Sequence, residues 1–310
     1  MLDTALGRAA GRSAKPMKRS SRLKRRETVA FYAFISPWLI GLCVFTIGPI
    51  VASAYFSLTK YTIVSPPEWV GFQNYVALTK DPLFWTSLYN TLYYVVLFIP
   101  LGIVTSFILS MLLNQKIRAM AVYRTIYYLP SIVPAVANAV LWVWLLNPQY
   151  GLINSGLKAI GIQGPGWLAS ETWSKPGIVL MSLWGTGSWI IIYLAGLQGI
   201  SQQLYEAAEV EGASRFQRLM RITIPMMTPT FFFTLVTGVI GSFQVFTQAY
   251  IMTNGGPVNS TLFYALYLFR TAFNYLKMGY ASSMAWILFL IVLILTGIQV
   301  RLSNRWVFYE

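Results

Sequence analysis

Side chains able to do chemistry are few in this chain of 310 residues, and narrow in type. It has no histidine, one cysteine (Cys43) and nine Asp and Glu together. The commonest general base and commonest metal ligand are therefore both missing. One cysteine supports neither an intrachain disulfide nor a cysteine metal cluster, so no metal site and no catalytic residue is expected. What remains is hydroxyl and amide chemistry. Thr234, Thr237, Gly241, Gln244 and Gln248 follow steps of 3, 4, 3 and 4, one narrow stripe if a single helix carries them. Such groups are costly against lipid, so the stripe is expected to face protein or a wet cavity. Gln244 and Gln248 each donate and accept, which suits sugar hydroxyls. Beside them Phe243, Phe246 and Tyr250 offer faces on which a pyranose could stack. Interhelical hydrogen bonding explains the two Gln equally well, and packing is the better reading of Thr234 and Gly241. Trp142, Trp144, Trp184 and Trp189 read as belt or packing residues rather than ligands.

The elements that must position these residues are membrane helices. Hydrophobic residues make up 56% of the chain and charged ones only 10%, too apolar for a soluble domain. Uncharged runs cover Thr28–Thr59, Pro82–Gln115, Thr125–Leu157, Pro176–Tyr205, Ile222–Phe269 and Met278–Val300. Each exceeds the roughly 20 residues a helix needs to cross a bilayer. The breaker cluster Asn254-Gly255-Gly256-Pro257 limits the fifth run to one span. The expectation is an all-α integral membrane protein of six spans, with cores near 31–57, 88–113, 125–146, 178–197, 228–252 and 280–300. Pro37, Pro49, Pro100, Pro130 and Pro134 are read as tolerated kinks in a packed bundle rather than hinges. The connections 58–87 and 147–176 read as a structured turn region and a plain loop.

Charge placement orients the bundle. With six spans, one side collects 17 of the 23 Lys and Arg, nine of them in a basic arm over residues 1–27. Lys116, Arg118, Arg124, Arg215, Arg218, Arg221, Arg301 and Arg305 complete that set, while Lys60, Lys80, Lys158, Lys175, Arg270 and Lys277 fall opposite. The positive-inside rule then places both termini and the 201–225 loop in the cytoplasm. The arm is read as an orientation signal resting on anionic lipid. Nucleic acid is not an expected partner, because no folded basic module accompanies the charge. The first apolar stretch is too long for a signal-peptide core, so cleavage is not expected.

The polar loop between the fourth and fifth spans has its own logic. Ser201 suits an N-cap for a helix from Gln202 to Glu211, and Gly212 a C′ residue of positive φ. Ser214 with Gln217 makes a capping-box signature for a second short helix, and Pro225 marks the turn into the next span. Glu206, Glu209 and Glu211 occupy the first helix; Arg215, Arg218 and Arg221 occupy the second. Ala207 and Ala208 leave a small-sided face for close approach by a partner.

That loop resembles the EAA loop of permease subunits of binding-protein-dependent ABC importers. The pattern is Glu206-Ala207-Ala208, then Gly212, then Ile222, Ile224 and Pro225. Ile224 stands where the family has Leu, Ser201 where it often has Pro, and Glu211 where Asp is common. The resemblance continues through Gly71-Phe72-Gln73-Asn74-Tyr75, Phe243-Gln244-Val245-Phe246, Thr253-Asn254-Gly255-Gly256-Pro257 and Gly279-Tyr280-Ala281-Ser282, and points to the maltose and glycerol-phosphate type. It implies a permease domain over 28–310 in a prokaryotic cell membrane, paired with a homologous second permease. Two cytoplasmic ATPase subunits would bind ATP and Mg and grip the loop, and an extracytoplasmic binding protein would deliver the solute. The chain carries no phosphate-binding G-x-x-x-x-G-K-[ST] loop. A neutral carbohydrate is the expected solute, with glycerol phosphate open through Arg270 and Lys277. An intramembrane enzyme or ion-coupled transporter would need buried ionisable groups, which the uncharged runs do not offer.

Overall fold

The computed structural model describes residues 21–308 apart from residue 116. Most of the basic arm, residues 1–20, and Lys116 therefore lie outside the described residues. The chain divides into two compact units, Met1–Ser53 and Ala54–Glu310.

From the first unit, α1 (Ser21–Leu42) leads through a π-helical turn at Cys43–Ile47 into α2 (Gly48–Ser57), whose last residues, from Ala54, belong to the second unit. The turn has the Gly48 N–H reaching back to the Cys43 carbonyl, just before Pro49, which has no N–H to give. Phe34, Trp38 and Phe45 are exposed on this helix. A helix that is apolar all round and leaves its rings uncovered is one made for lipid or a protein partner.

The second unit opens with a correction to the all-α expectation. Strands β1 (Thr59–Thr62) and β2 (Ser65–Trp69) form an antiparallel hairpin with Thr59 opposite Trp69, followed by α3 (Gln73–Thr79). Pro66 and Pro67 are tolerated because a two-stranded sheet has only edges. Asn74 donates to the Ser57 and Thr59 carbonyls at 2.9 and 2.8 Å and ties the hairpin down.

Asp81 caps α4 (Pro82–Leu113), accepting from the Leu83 N–H. The third expected core is two helices, α5 (Met120–Ile132) and α6 (Ala135–Leu145), bent by 101°. Pro134 forces Val133 into extended backbone, so it breaks the span rather than kinking it. The supposed plain loop at 147–176 contains α7 (Leu152–Ala159) and a 3-10 turn at Trp167–Ala169. The fourth expected core divides into α8 (Ser174–Trp184) and α9 (Gly187–Gly199), bent by 48°.

After α10 (Gln202–Val210) and α11 (Arg215–Arg218), a π turn at Leu219–Thr223 runs straight into α12 (Ile224–Phe243). Pro225 thus sits inside a continuous helix, not at a turn into one, its missing N–H absorbed by the π turn before it. The fifth core stops at Phe243 and restarts as α13 (Thr247–Met252). Next come α14 (Tyr264–Phe269), a π turn at Arg270–Asn274 and α15 (Met278–Ser303). Among the described residues four helices are long and apolar enough to cross a membrane, and counting each bent pair as one span brings the candidates to six.

Helix α4 is the organiser of the second unit, packing against α8, α9, α12 and α14. One apolar cluster surrounds Phe84, Tyr94, Trp142 and Phe263; a second gathers Phe107, Tyr193, Leu197 and Met227 near the 201–225 segment. Between them lie Val95, Ile99, Val239 and Phe243.

Candidate functional site

Three interruptions of helix meet at one cavity of about 470 Å³. Ser131, Val133 and Ala135 come from the α5–α6 break, Gly185 from the α8–α9 break, and Gln244, Val245 and Phe246 from the α12–α13 break. Irregular backbone at membrane depth is tolerated only where it is buried in protein or lines a wet space, since its polar groups otherwise lack partners. A convergence of breaks marks a place where water or a polar solute is admitted.

The cavity wall is mixed. Tyr94 and Phe98 from α4, Asn138 from α6, Trp189 from α9, and Thr237, Gly241 and Ser242 from α12 contribute to it. The Tyr94 hydroxyl donates to Ser182 Oγ at 2.8 Å, fixing two wall residues to each other. Asn138 Oδ1 and Ser242 Oγ are buried with no hydrogen-bond partner in the described chain. Unmet polar atoms in a cavity wall are what a water or solute hydroxyl would complete.

Of the residues expected at the site, Gln244 and Gln248 line the cavity, and no hydrogen bond joins either amide to another described residue. Phe243 does not line it. Phe243 is 1% exposed and packed in the cluster with Val95, Ile99 and Val239, because α12 ends on its core face there. Tyr250 also falls outside the wall, stacked on Phe246 with centroids 5.3 Å apart. The single stripe is corrected in the same way: Gln248 belongs to α13, one break beyond the helix of Thr234 and Thr237. Thr234 is fully buried against the Tyr193 hydroxyl at 2.6 Å, whereas Gly241 opens onto the cavity with nothing near an added Cβ.

Trp189, read from sequence as packing, lines the cavity. Its indole is held between Gly102 and Gly238, where an added Cβ would come within 2.8 Å of the ring. Asn138 was not singled out at all; a lone amide near Pro134 carried the only signal. Arg270, considered for an anion, instead donates to the Asn254 carbonyl and Oδ1 at 2.6 and 2.8 Å.

The 201–225 segment forms a second surface. Ser201 takes the N-cap position with extended backbone but makes no side-chain cap bond, unlike the expectation. Gly212 has φ of +79°, with its own N–H on Glu209 O and the Ala213 N–H on Ala208 O, a Schellman ending. Ser214 and Gln217 complete the reciprocal capping box. Glu206 is exposed and accepts from Gln202 at 2.9 Å, and Ala207 is exposed beside it. Ala208, Gly212 and Ile222 border a hollow of about 310 Å³ at the bend, with Arg218 and Arg221. The Tyr205–Thr223 hydroxyl pair, at 2.9 Å, and the Ile222 side chain anchor this bend to the apolar cluster below.

Residues 82–308 match the family described as "binding-protein-dependent transport system inner membrane component". The chain is 42% identical over 305 residues to the "Probable ABC transporter permease protein YesP" of Bacillus subtilis (strain 168), covering 97% of this chain and 98% of that one. It is 36% identical over 287 residues to the "Lactose transport system permease protein LacF" of Rhizobium radiobacter, covering 90% and 95%. In fold it is similar to a chain of a bacterial alginate ABC transporter crystallised with an alginate pentasaccharide-bound periplasmic protein, with a TM-score of 0.81 at 24% identity over 93% and 98% of the two chains. The chain therefore belongs to the binding-protein-dependent ABC transporter permeases, the inner membrane components of such transport systems.

Proposed function

We propose that this permease forms half of the translocation path of an ATP-driven importer of a carbohydrate, a di- or oligosaccharide, with the cavity at the three helix breaks as its solute site. The carrying observation is that convergence, with Gln244, Gln248, Asn138 and Ser242 supplying uncharged polar groups and Trp189 and Phe246 supplying ring faces. The lactose permease at 36% identity supports a neutral sugar. Arg270 keeps its charge while it donates to the neutral Asn254, so glycerol phosphate stays the second reading. The chain crosses the membrane six times in this reading, each bent pair serving as one span, with both termini and the 201–225 loop cytoplasmic.

A homologous second permease closes the other side of the path, and two ATPase subunits holding ATP and Mg take the loops. Glu206, Ala207, Ala208 and Gly212 present the contact face, while Ile222 and Pro225 carry its movement into α12. The outer ligand is a solute-loaded binding protein. The reaction is solute-stimulated ATP hydrolysis by the assembled complex in lipid nanodiscs. Stimulation by lactose- or maltose-loaded binding protein, lost in Gln244→Ala with Asn138→Ala, is the expected result. Equal stimulation in the double variant excludes the cavity as the site.

A further inference from the structure

We propose that an aromatic track extends the solute site from the cavity toward the end opposite the 201–225 loop, and that it carries successive sugar rings of an oligosaccharide. This rests on the carbohydrate reading above and adds to it a site for a chain longer than the cavity holds.

The track starts at Phe246 in the cavity wall. Phe269 lies 5.0 Å from Phe246 and 5.9 Å from Tyr250, and Phe273 lies 5.1 Å beyond Phe269, all centroid to centroid. Four rings, from the α12–α13 break, α13, α14 and the π turn after it, thus form one connected row. Phe246 and Phe269 are half-buried, whereas Tyr250 is 43% exposed and the outermost ring, Phe273, 56% exposed. The direction follows from the helices. The N–H of Phe308 donates to Thr228 Oγ1, so α15 ends beside the start of α12, and Phe273–Lys277, just before α15, lies at the far end.

Polar groups accompany the row, as a sugar requires and an anchor in lipid does not. Gln248 flanks Phe246 at the cavity. Arg270 is held in place by Asn254 through one guanidinium nitrogen, which leaves other N–H groups to donate. Apolar ring faces beside donors and acceptors match a pyranose, whose C–H face and hydroxyl rim have the same two characters. Continuity with the cavity distinguishes the row from an isolated aromatic belt at a membrane interface.

The test uses the assembled importer in nanodiscs with its binding protein and Cys43→Ala as background. Tyr250→Cys and Phe273→Cys are each exposed to a membrane-impermeant thiol reagent during ATP turnover, with glucose, lactose, maltose or maltopentaose, and ATP hydrolysis is read in the same samples. Labelling that maltopentaose suppresses on the order of threefold to tenfold more than a disaccharide does, the scale of one lost ring contact, supports the track. No labelling, as for rings covered by lipid or the second permease, overturns it, and so does labelling that no saccharide slows. Hydrolysis stimulated by saccharide without protection overturns the track alone; absence of stimulation by every saccharide overturns the carbohydrate reading and the track together. Phe269→Leu separates binding from folding: it raises the KM for maltopentaose while leaving that for maltose unchanged. An equal rise for both would mean a structural ring.

Discussion

The two ends of the second unit are built on opposite plans. At the end opposite the 201–225 loop, hydrogen bonds cross between distant elements. Asp81 accepts from Tyr267 and from Tyr280; Asn90 donates to the Asn259 and Leu262 carbonyls and accepts from Lys175; Thr91 accepts from the Tyr264 N–H. At the loop end, the bonds of the 201–225 segment are mostly to itself, and Val210 is 90% exposed. The first end is tied together by side chains that bridge elements far apart in the sequence. The second has its internal geometry fixed by caps and a glycine, while its outer face is left for something else to cover. A device that must transmit motion gains from this asymmetry, because a preformed shape on a loose mounting moves as one piece.

The cross-bonded end is most sensitive at Gly279. A Cβ there would lie 2.0 Å from the Thr59 carbonyl and 3.1 Å from that of Phe56, both backbone atoms that cannot yield cheaply. Gly279→Ala is expected to cost about 3 kcal/mol or more, seen as a large fall in thermal midpoint in detergent. A midpoint unchanged from wild type would show that the hairpin is not fixed against α15.

Asp81→Asn comes next, at about 1.5–3 kcal/mol for the loss of charge-assisted bonds. Burial alone would raise the Asp81 carboxyl, but the Tyr267 and Tyr280 hydroxyls and the Leu83 and Phe84 amides outweigh it and hold it below its ordinary 3.8. A depressed carboxyl stabilises the fold above its unfolded value, and that contribution disappears as pH falls through the lower folded one. The wild-type advantage over Asp81→Asn is therefore constant at neutral pH and shrinks only below about pH 3.8, a loss that thermal melts across an acid series would record. An advantage that vanishes near pH 6 would point to a different group.

Tyr205→Phe removes the hydroxyl pair with Thr223 and costs about 1 kcal/mol. Its larger effect is expected in function: saccharide-stimulated ATP hydrolysis falls more than stability does, since the bend loses its hold on α12. Coupled activity equal to wild type would assign the transmission elsewhere.

What could be read in the sequence and what could not follows the same division. The loop end was legible because its signals are local: Gly212 at positive φ and the Ser214–Gln217 box are fixed within a few residues. Six apolar runs were legible for the same reason. The breaks were not, because hydropathy averages over them. Pro134 was visible, yet nothing local said that it would turn α5–α6 by 101°. The site suffered accordingly. Gln244 and Gln248, grouped by spacing, both reach the cavity wall although the helix under them is interrupted, while Phe243 lies in the core because one residue at a helix end decides between core and cavity. Trp189 needed the two glycines, Gly102 and Gly238, from distant helices to become visible. Asn138 and Ser242 needed the unmet atoms themselves.

The smallest expected effect is at the loop end. Arg218 pairs with Glu209 at 3.2 Å, and the Glu209 side chain is 71% exposed. Water and salt screen such a pair, so Arg218→Ala should change stability by only about 0–1 kcal/mol. The pair joins the two short helices across the Gly212 bend, so its consequence is a wider range of bend angles rather than a weaker fold. Assembled with its ATPase, the variant should melt like wild type but show weaker coupling at low salt, and the gap should narrow as salt rises and the wild-type pair is itself screened. A fall in thermal midpoint as large as that of Asp81→Asn would mean that the loop end is held as tightly as the other, and the asymmetry would not stand.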